Sequence, residues 1–275
     1  MDKSIALIIP YFSKIPWYFD YFIHSCKYNL TVHFFIITDD TAYDKKVPEN
    51  IFIIHKTFEE VKAIIAEKVQ MDVAFDDAYK LCDFKPAYGF IFSDLVQGYD
   101  FWGYGDIDMI FGNIRNFITD DVLNEYDVIS LRHDFLIGNF SLFRNIEKIN
   151  ELFTHSRDYK KVFTSPMHHC FDETNFHFEE FTEGRHYSEV NSEIESMTHV
   201  VKRLHEEKYL KAYFDYHVIE GVPGRIKWNN GIMTYKNKFE VIFYHLIIFK
   251  KINRPPKPLK KMPNIFWISP TRIYT

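Results

Sequence analysis

The sequence predicts an α/β fold, a largely parallel sheet with helices on both faces, on three observations. Three short apolar runs, Ile5–Pro10, His33–Thr38 and Ile51–His55, lack polar alternation, as strands buried on both faces do. Patterns of helical period stand between the strands. An aromatic run, Tyr99 to Tyr104, ends at Gly105 and is followed at once by Asp106-Ile107-Asp108. Carboxylates at the carboxyl end of a strand lie where open α/β sheets bind ligands.

Each element follows from its residues. Ile5–Pro10 reads as the first parallel strand, and Tyr18–Cys26 as a short helix. The second strand, His33–Thr38, stops at Asp39-Asp40, and Ile51–His55 is the third. Thr57-Phe-Glu-Glu60 fits a capping box, with Val61, Ile64, Ile65 and Val69 following at helical spacing. Tyr88, Ile91, Phe92, Leu95 and Val96 mark another helix, closed by Gly98. Beyond Asp108 come strands at Tyr126–Leu131 and Phe140–Phe143 and a helix at Asn145–Ser156. Residues 157–200 are rich in His and acids and poor in periodicity, and read as a loop-rich insertion or lid. Trp228-Asn-Asn-Gly231 reads as a hairpin turn, and Phe239–Phe249 as a final strand. From Lys250 the chain is basic and proline-broken, with Lys250, Lys251, Arg254, Lys257, Lys260, Lys261 and Arg272 and no acid. This tail reads either as a solvated end or as a surface that presses Phe266 and Trp267 toward anionic lipid.

Composition narrows the function. The 275 residues suffice for one large domain or two small ones, and 47% hydrophobic with 26% charged residues is ordinary for a globular chain. A net charge of −5 argues against a general nucleic-acid binder. Three well-separated cysteines without a Cys-x-x-Cys pair suit a reducing cytosol. The apolar start is too short for a signal segment, and Val241–Phe249 falls far below the ~20 residues that span a bilayer. A cytoplasmic protein, at most peripheral to the membrane, is expected. Aromatic residues make up 18% of the chain and mostly fill cores, although Trp102 and Trp228 are also candidates to stack on sugar rings.

Asp106 and Asp108 carry the chemistry. Two adjacent carboxylates repel unless a cation or proton sits between them, and hard oxygen donors suit Mg²⁺ or Mn²⁺. Gly103, Gly105 and Gly112 flank the pair and allow a ligand to come close. Such a metal clamps a diphosphate as a Lewis acid.

The chain resembles a bacterial family of GT-A-type glycosyltransferases found among capsule, exopolysaccharide and lipopolysaccharide genes. The resemblance is carried by Ile8-Ile-Pro-Tyr-Phe12, Phe35-Ile-Ile-Thr-Asp-Asp40, Cys82-Asp-Phe-Lys-Pro-Ala-Tyr-Gly89, Phe101-Trp-Gly-Tyr-Gly-Asp-Ile-Asp-Met-Ile-Phe-Gly112 and Cys170-Phe-Asp-Glu173. It implies a GT-A-like, Rossmann-like mixed sheet with helices on both faces. Residues 1–250 would form one domain, with a nucleotide-sugar-binding half (1–112), an acceptor half (113–250) and a basic tail (251–275). It implies further that Pro10 and Tyr11 begin the nucleotide site, and that Asp39 or Asp40 meets ribose or base unless these acids cap a turn. Asp83 and Lys85 would contact ribose and diphosphate, or else form a surface pair. His245 would complete the shell of a Mn²⁺ or Mg²⁺ ion, or else be a core histidine. Lys250 follows it in the family's order, without the usual glycine-containing spacer. Asp172 or Glu173 would act as general base on the acceptor, with Asp134 in reserve, or these would be solvated loop acids. Gly138 and Asn139 would meet the sugar or acceptor.

The implied activity is metal-dependent transfer of a sugar from a nucleotide-sugar, UDP-linked by preference, to a glycan or lipid-linked glycan. The rivals are a metal-dependent nucleotidyltransferase or phosphohydrolase and a non-catalytic glycan-binding protein. The Pro10–Pro16 loop lacks the glycines of a nucleotidyltransferase phosphate loop.

Overall fold

The computed structural model describes residues 3–215, 218–219, 221, 224–253 and 262–275. Its strands are β1 (Ile5–Pro10), β2 (Val32–Thr38), β3 (Ile51–His55), β4 (Phe101–Gly105), β5 (Met109–Phe111), β6 (Val128–Ser130), β7 (Phe140–Arg144), β8 (Ala212–Phe214), β9 (Val218–Ile219), β10 (Ile226–Asn229), β11 (Ile232–Tyr235), β12 (Phe239–Glu240), β13 (Phe243–His245), β14 (Ile265–Ile268) and β15 (Ile273–Tyr274). The main sheet has the order β3-β2-β1-β4-β7-β6-β8. The first four strands are mutually parallel, and β7 runs antiparallel between β4 and β6. The α/β expectation holds, with β7 making the sheet mixed.

Alternation along the strands sorts the side chains into two cores. Ile5, Leu7 and Ile9 face one side with helix α1 (Phe19–Cys26). Ala6 and Ile8 face the other with helix α2 (Phe58–Val69). The capping box at α2 forms as expected: Thr57 Oγ1 accepts from the Glu60 N–H, and Glu60 accepts from the Thr57 N–H.

The order of strands locates the binding crevice. The chain winds outward from β1 to β3 and then returns to place β4 on the other side of β1. The switch therefore lies between the carboxyl ends of β1 and β4, at Pro10 and Gly105.

Several elements differ from the sequence reading. The helix expected over 88–96 is two four-residue pieces, Tyr88–Ile91 and Ser93–Val96, after a 3₁₀ stretch Ala78–Ala87. Pro86 in that stretch lacks the N–H that a regular α-helix would use. The helix expected over 145–156 shortens to Glu147–Asn150, followed by a 3₁₀ turn. Segment 157–200 is no detached lid, because Val162, Phe163, Phe171, Ile194, Met197 and Val200 are buried in the second core. Its helices are too short for a periodicity to register, apart from Met197–Glu206, which it opens.

The hairpin at Asn230-Gly231 forms, with positive φ of 48° and 87° at the two turn residues. The expected strand 239–249 is broken into β12 and β13 and gives way to a helical turn at Phe249–Ile252. Within 251–275, Arg254, Lys257, Lys260 and Lys261 lie outside the described residues. The described part is no solvated end, since β14 pairs with β10 and both Phe266 and Ile268 are fully buried. Trp102 and Trp228 are core residues, their indole N–H groups donating to Asn150 Oδ1 and the Phe111 carbonyl.

Candidate metal and nucleotide site

The chain leaving Asp106–Asp108 is held from two sides, by the α1 region and by β13. Asn29, just after α1, donates to the Gly112 carbonyl at 2.9 Å and accepts from the Ile114 N–H at 2.8 Å. Ser25 Oγ accepts from the Phe111 N–H at 3.0 Å. β5 pairs antiparallel with β13, opposing Met109 to His245, and the Leu246 N–H donates to the Asp108 carbonyl at 2.8 Å. This ladder carries His245, 137 residues downstream, to the two aspartates. One ligand atom from each of Asp106, Asp108 and His245 lies within 4.8 Å of the others. Two carboxylates and an imidazole at that separation fit Mn²⁺ or Mg²⁺, Mn²⁺ better because it accepts nitrogen more readily.

Cations neutralise these acids from both sides. Lys85, 5% exposed, donates to Asp106 Oδ1 at 2.8 Å and to the Gly138 carbonyl at 2.7 Å. Lys250 donates to Asp108 Oδ2 at 2.6 Å, and His245 Nε2 lies 3.3 Å from the same oxygen. Burial by itself raises the Asp108 carboxyl, but His245 and then Lys250 outweigh it and hold it well below the usual carboxylate range. Asn139 meets the other imidazole nitrogen, with Nδ2 2.7 Å from His245 Nδ1.

Asp172 and Glu173 stand beside this cluster. They are not solvated loop acids, because Asp172 is only 2% exposed and Glu173 Oε1 accepts from the Gly138 N–H at 2.8 Å. Asp172 Oδ2 is 4.0 Å from the Lys85 ammonium, and Oδ1 is buried without a hydrogen-bond partner. Burial pushes the Asp172 carboxyl well above its ordinary range against the pull of Lys85, with Glu173 adding to the rise. Burial raises Glu173 as well, against the Gly138 hydrogen bond. Glycine at 138 leaves both acids in place: a Cβ there would stand 2.5 Å from Asp172 Oδ2, which would have to shift.

One cavity of about 720 Å³ gathers most of the expected residues: Pro10, Tyr11, Lys85, Asp106, Asp108, Gly138, Asn139, Asp172, Glu173, His245 and Lys250. Four do not join them as expected. Asp83 is fully buried and accepts from Lys80 Nζ and the His169 and Phe171 N–H groups, so it is neither a nucleotide contact nor half of a surface pair with Lys85. The Asp134 carboxylate lies outside the cavity lining and is engaged by Arg132 Nε at 2.8 Å, Thr182 and the Phe135 N–H. Asp40 caps a turn, accepting from the Ile15 and Ala42 N–H groups, and these bonds lower its pKa. Asp39 lies in an adjoining depression with Phe12, Phe58 and Asp77.

Tyr79, Arg132, His168, Phe178 and Thr182 also line the cavity and escaped the sequence reading. They come from separate turns and short helices, and no spacing in the chain marks them as one group.

The family of unknown function DUF6625 has a model that matches residues 7–275, and the chain belongs to that family. No curated protein matches it in sequence. Among solved structures it is similar to mouse xyloside xylosyltransferase 1 in its apo form, at 8% identity and a TM-score of 0.38 over 60% of this chain and 72% of that one. It is similar to the galactosyltransferase LgtC in complex with donor and acceptor sugar analogs, at 11% identity and a TM-score of 0.35 over 59% and 66%. An active-site mutant of LgtC aligns at 9% identity and a TM-score of 0.35 over 78% and 75%.

Proposed function

We propose that this member of the DUF6625 family is a metal-dependent glycosyltransferase. It moves a sugar from a nucleotide-sugar, UDP-linked by preference, to a bacterial surface glycan or lipid-linked glycan. The observation that carries this reading is the convergence of Asp106, Asp108 and His245 at the strand-order switch, with Lys85 and Lys250 in the same cavity. A divalent cation there supplies Lewis-acid neutralisation of the departing diphosphate. Asp106, Asp108 and His245 hold it, and the lysines serve as point charges for phosphate. Pro10 and Tyr11 wall the nucleotide side. Asp172 and Glu173 face the reacting sugar, within reach of a hydroxyl whose proton must be taken. A cytoplasmic location with peripheral contact to anionic membrane belongs to the same proposal. Three free cysteines and the acid-free stretch after Glu240 support it.

The test is a calorimetric screen of UDP, GDP, CMP and dTDP with and without Mn²⁺. Metal-dependent binding of one nucleotide, abolished in the Asp106→Asn, Asp108→Asn double variant while the fold still melts normally, is the expected result. Unchanged nucleotide affinity in that variant would sink the metal-site reading.

A further inference from the structure

We propose that Lys250 and Lys85 act as internal counter-ions that keep the metal site latent until a diphosphate arrives. This inference rests on the metal-site reading above and adds the order and sign of binding. Each ammonium is bonded to a different carboxylate of the Asp106–Asp108–His245 cluster, Lys85 to Asp106 and Lys250 to Asp108. Without ligand, each of the two cluster carboxylates is thus matched by one ammonium, with Asp172 and Glu173 beside them in the same cavity. Asp108 Oδ2 is held by the Lys250 ammonium at 2.6 Å and lies 3.3 Å from His245 Nε2, so a cation drawn to this cluster while both lysines stay meets a like charge at close range. Metal alone must therefore displace an ammonium.

The two lysines differ in their freedom to move. The Lys85 side chain is 7% exposed and is also tied to the Gly138 carbonyl, with Asp172 Oδ2 4.0 Å away. The Lys250 side chain is 30% exposed and sits on a single helical turn, Phe249–Ile252. Lys250 is the one that swings out. A diphosphate changes the balance, because its oxygens take the metal on one side and accept the released ammonium on the other. Metal and diphosphate then each raise the other's affinity by the same factor, as linkage requires.

The test measures Mn²⁺ binding without nucleotide, from the free-ion electron-spin resonance signal and by calorimetry. Lys250→Met keeps the aliphatic stem and removes the charge. It should bind Mn²⁺ alone about tenfold more tightly than the native chain, within the usual range of coupling effects. Lys250→Arg, which keeps the charge, should retain the weak native affinity. In Lys250→Met the gain in Mn²⁺ affinity on adding the nucleoside diphosphate chosen by the screen should shrink. Unchanged or weaker Mn²⁺ binding by Lys250→Met overturns the latch, and so does native Mn²⁺ binding that is as tight without nucleotide as with it. If the native chain binds no nucleotide even with Mn²⁺, the transferase reading itself fails, which is a separate outcome.

Discussion

Asn139 Nδ2 lies 2.7 Å from His245 Nδ1, on the opposite edge of the imidazole from Asp108. With Nδ2 facing Nδ1, the amide donates and Nε2 carries the proton of a neutral imidazole. For Nε2 to ligate a metal, Nδ1 must carry the proton, and a rotated Asn139 amide then accepts it through Oδ1. One side chain can thus serve both tautomers. Partners that orient a ligating histidine are worth roughly 10–100-fold in metal affinity. Asn139→Ala should weaken Mn²⁺ binding by that factor in calorimetry, with the thermal midpoint little changed.

Asp83 is a structural acid. Burial alone would raise its carboxyl, but His168 and Lys80 reverse this and hold it below the usual range. Lys80 is 1% exposed and donates to Asp83 at 2.8 Å. Removing one member of a buried pair strands the other, at a cost of about 3–5 kcal/mol. Asp83→Ala should lose that much in urea denaturation. Adding Lys80→Met should recover at least about 1 kcal/mol relative to the summed single losses, because contacting residues couple.

The stability profile with pH has an opposite contribution from Asp172. Its folded pKa lies above the unfolded value near 3.8. A group of that sign contributes its full stability below the unfolded pKa and loses it as pH rises toward the folded one. Asp172→Asn removes the titration. The variant should gain stability relative to the native chain as pH climbs from about 4 through neutrality. The two should converge in acid. Parallel curves across this range in pH-resolved denaturation would show that Asp172 titrates normally.

Gly138 lets Asp172 and Glu173 approach the cavity floor. A Cβ at 138 would also stand 3.1 Å from the Glu173 side chain. Gly138→Ala must push both acids aside. Overpacking of this kind costs about 1–3 kcal/mol. The variant should melt lower and turn over nucleotide-sugar more slowly, while Mn²⁺-dependent nucleotide binding stays nearer the native level.

Much of this protein is legible in its local sequence. β1 to β4, α1, α2 and its capping box, and the Asn230-Gly231 turn follow from local rules. Continuous apolar runs make doubly covered strands, and turn and cap residues act over three or four positions. Asp106 and Asp108 stood out because polar charge after an aromatic strand is costly without a purpose. Tertiary structure alone decided the rest. The reversed direction of β7, the burial of segment 157–200 and the docking of β14 on β10 depend on long-range pairing that no local pattern encodes. The same holds at the site. Asp83, Asp134 and Asp172 look alike in the chain. Two are taken up by hydrogen-bond partners and the third is left with an unpaired oxygen, because a carboxylate's role is set by what surrounds it. His245 joins Asp106 and Asp108 only through the β5–β13 ladder, which brings residues far apart in sequence within a metal's reach.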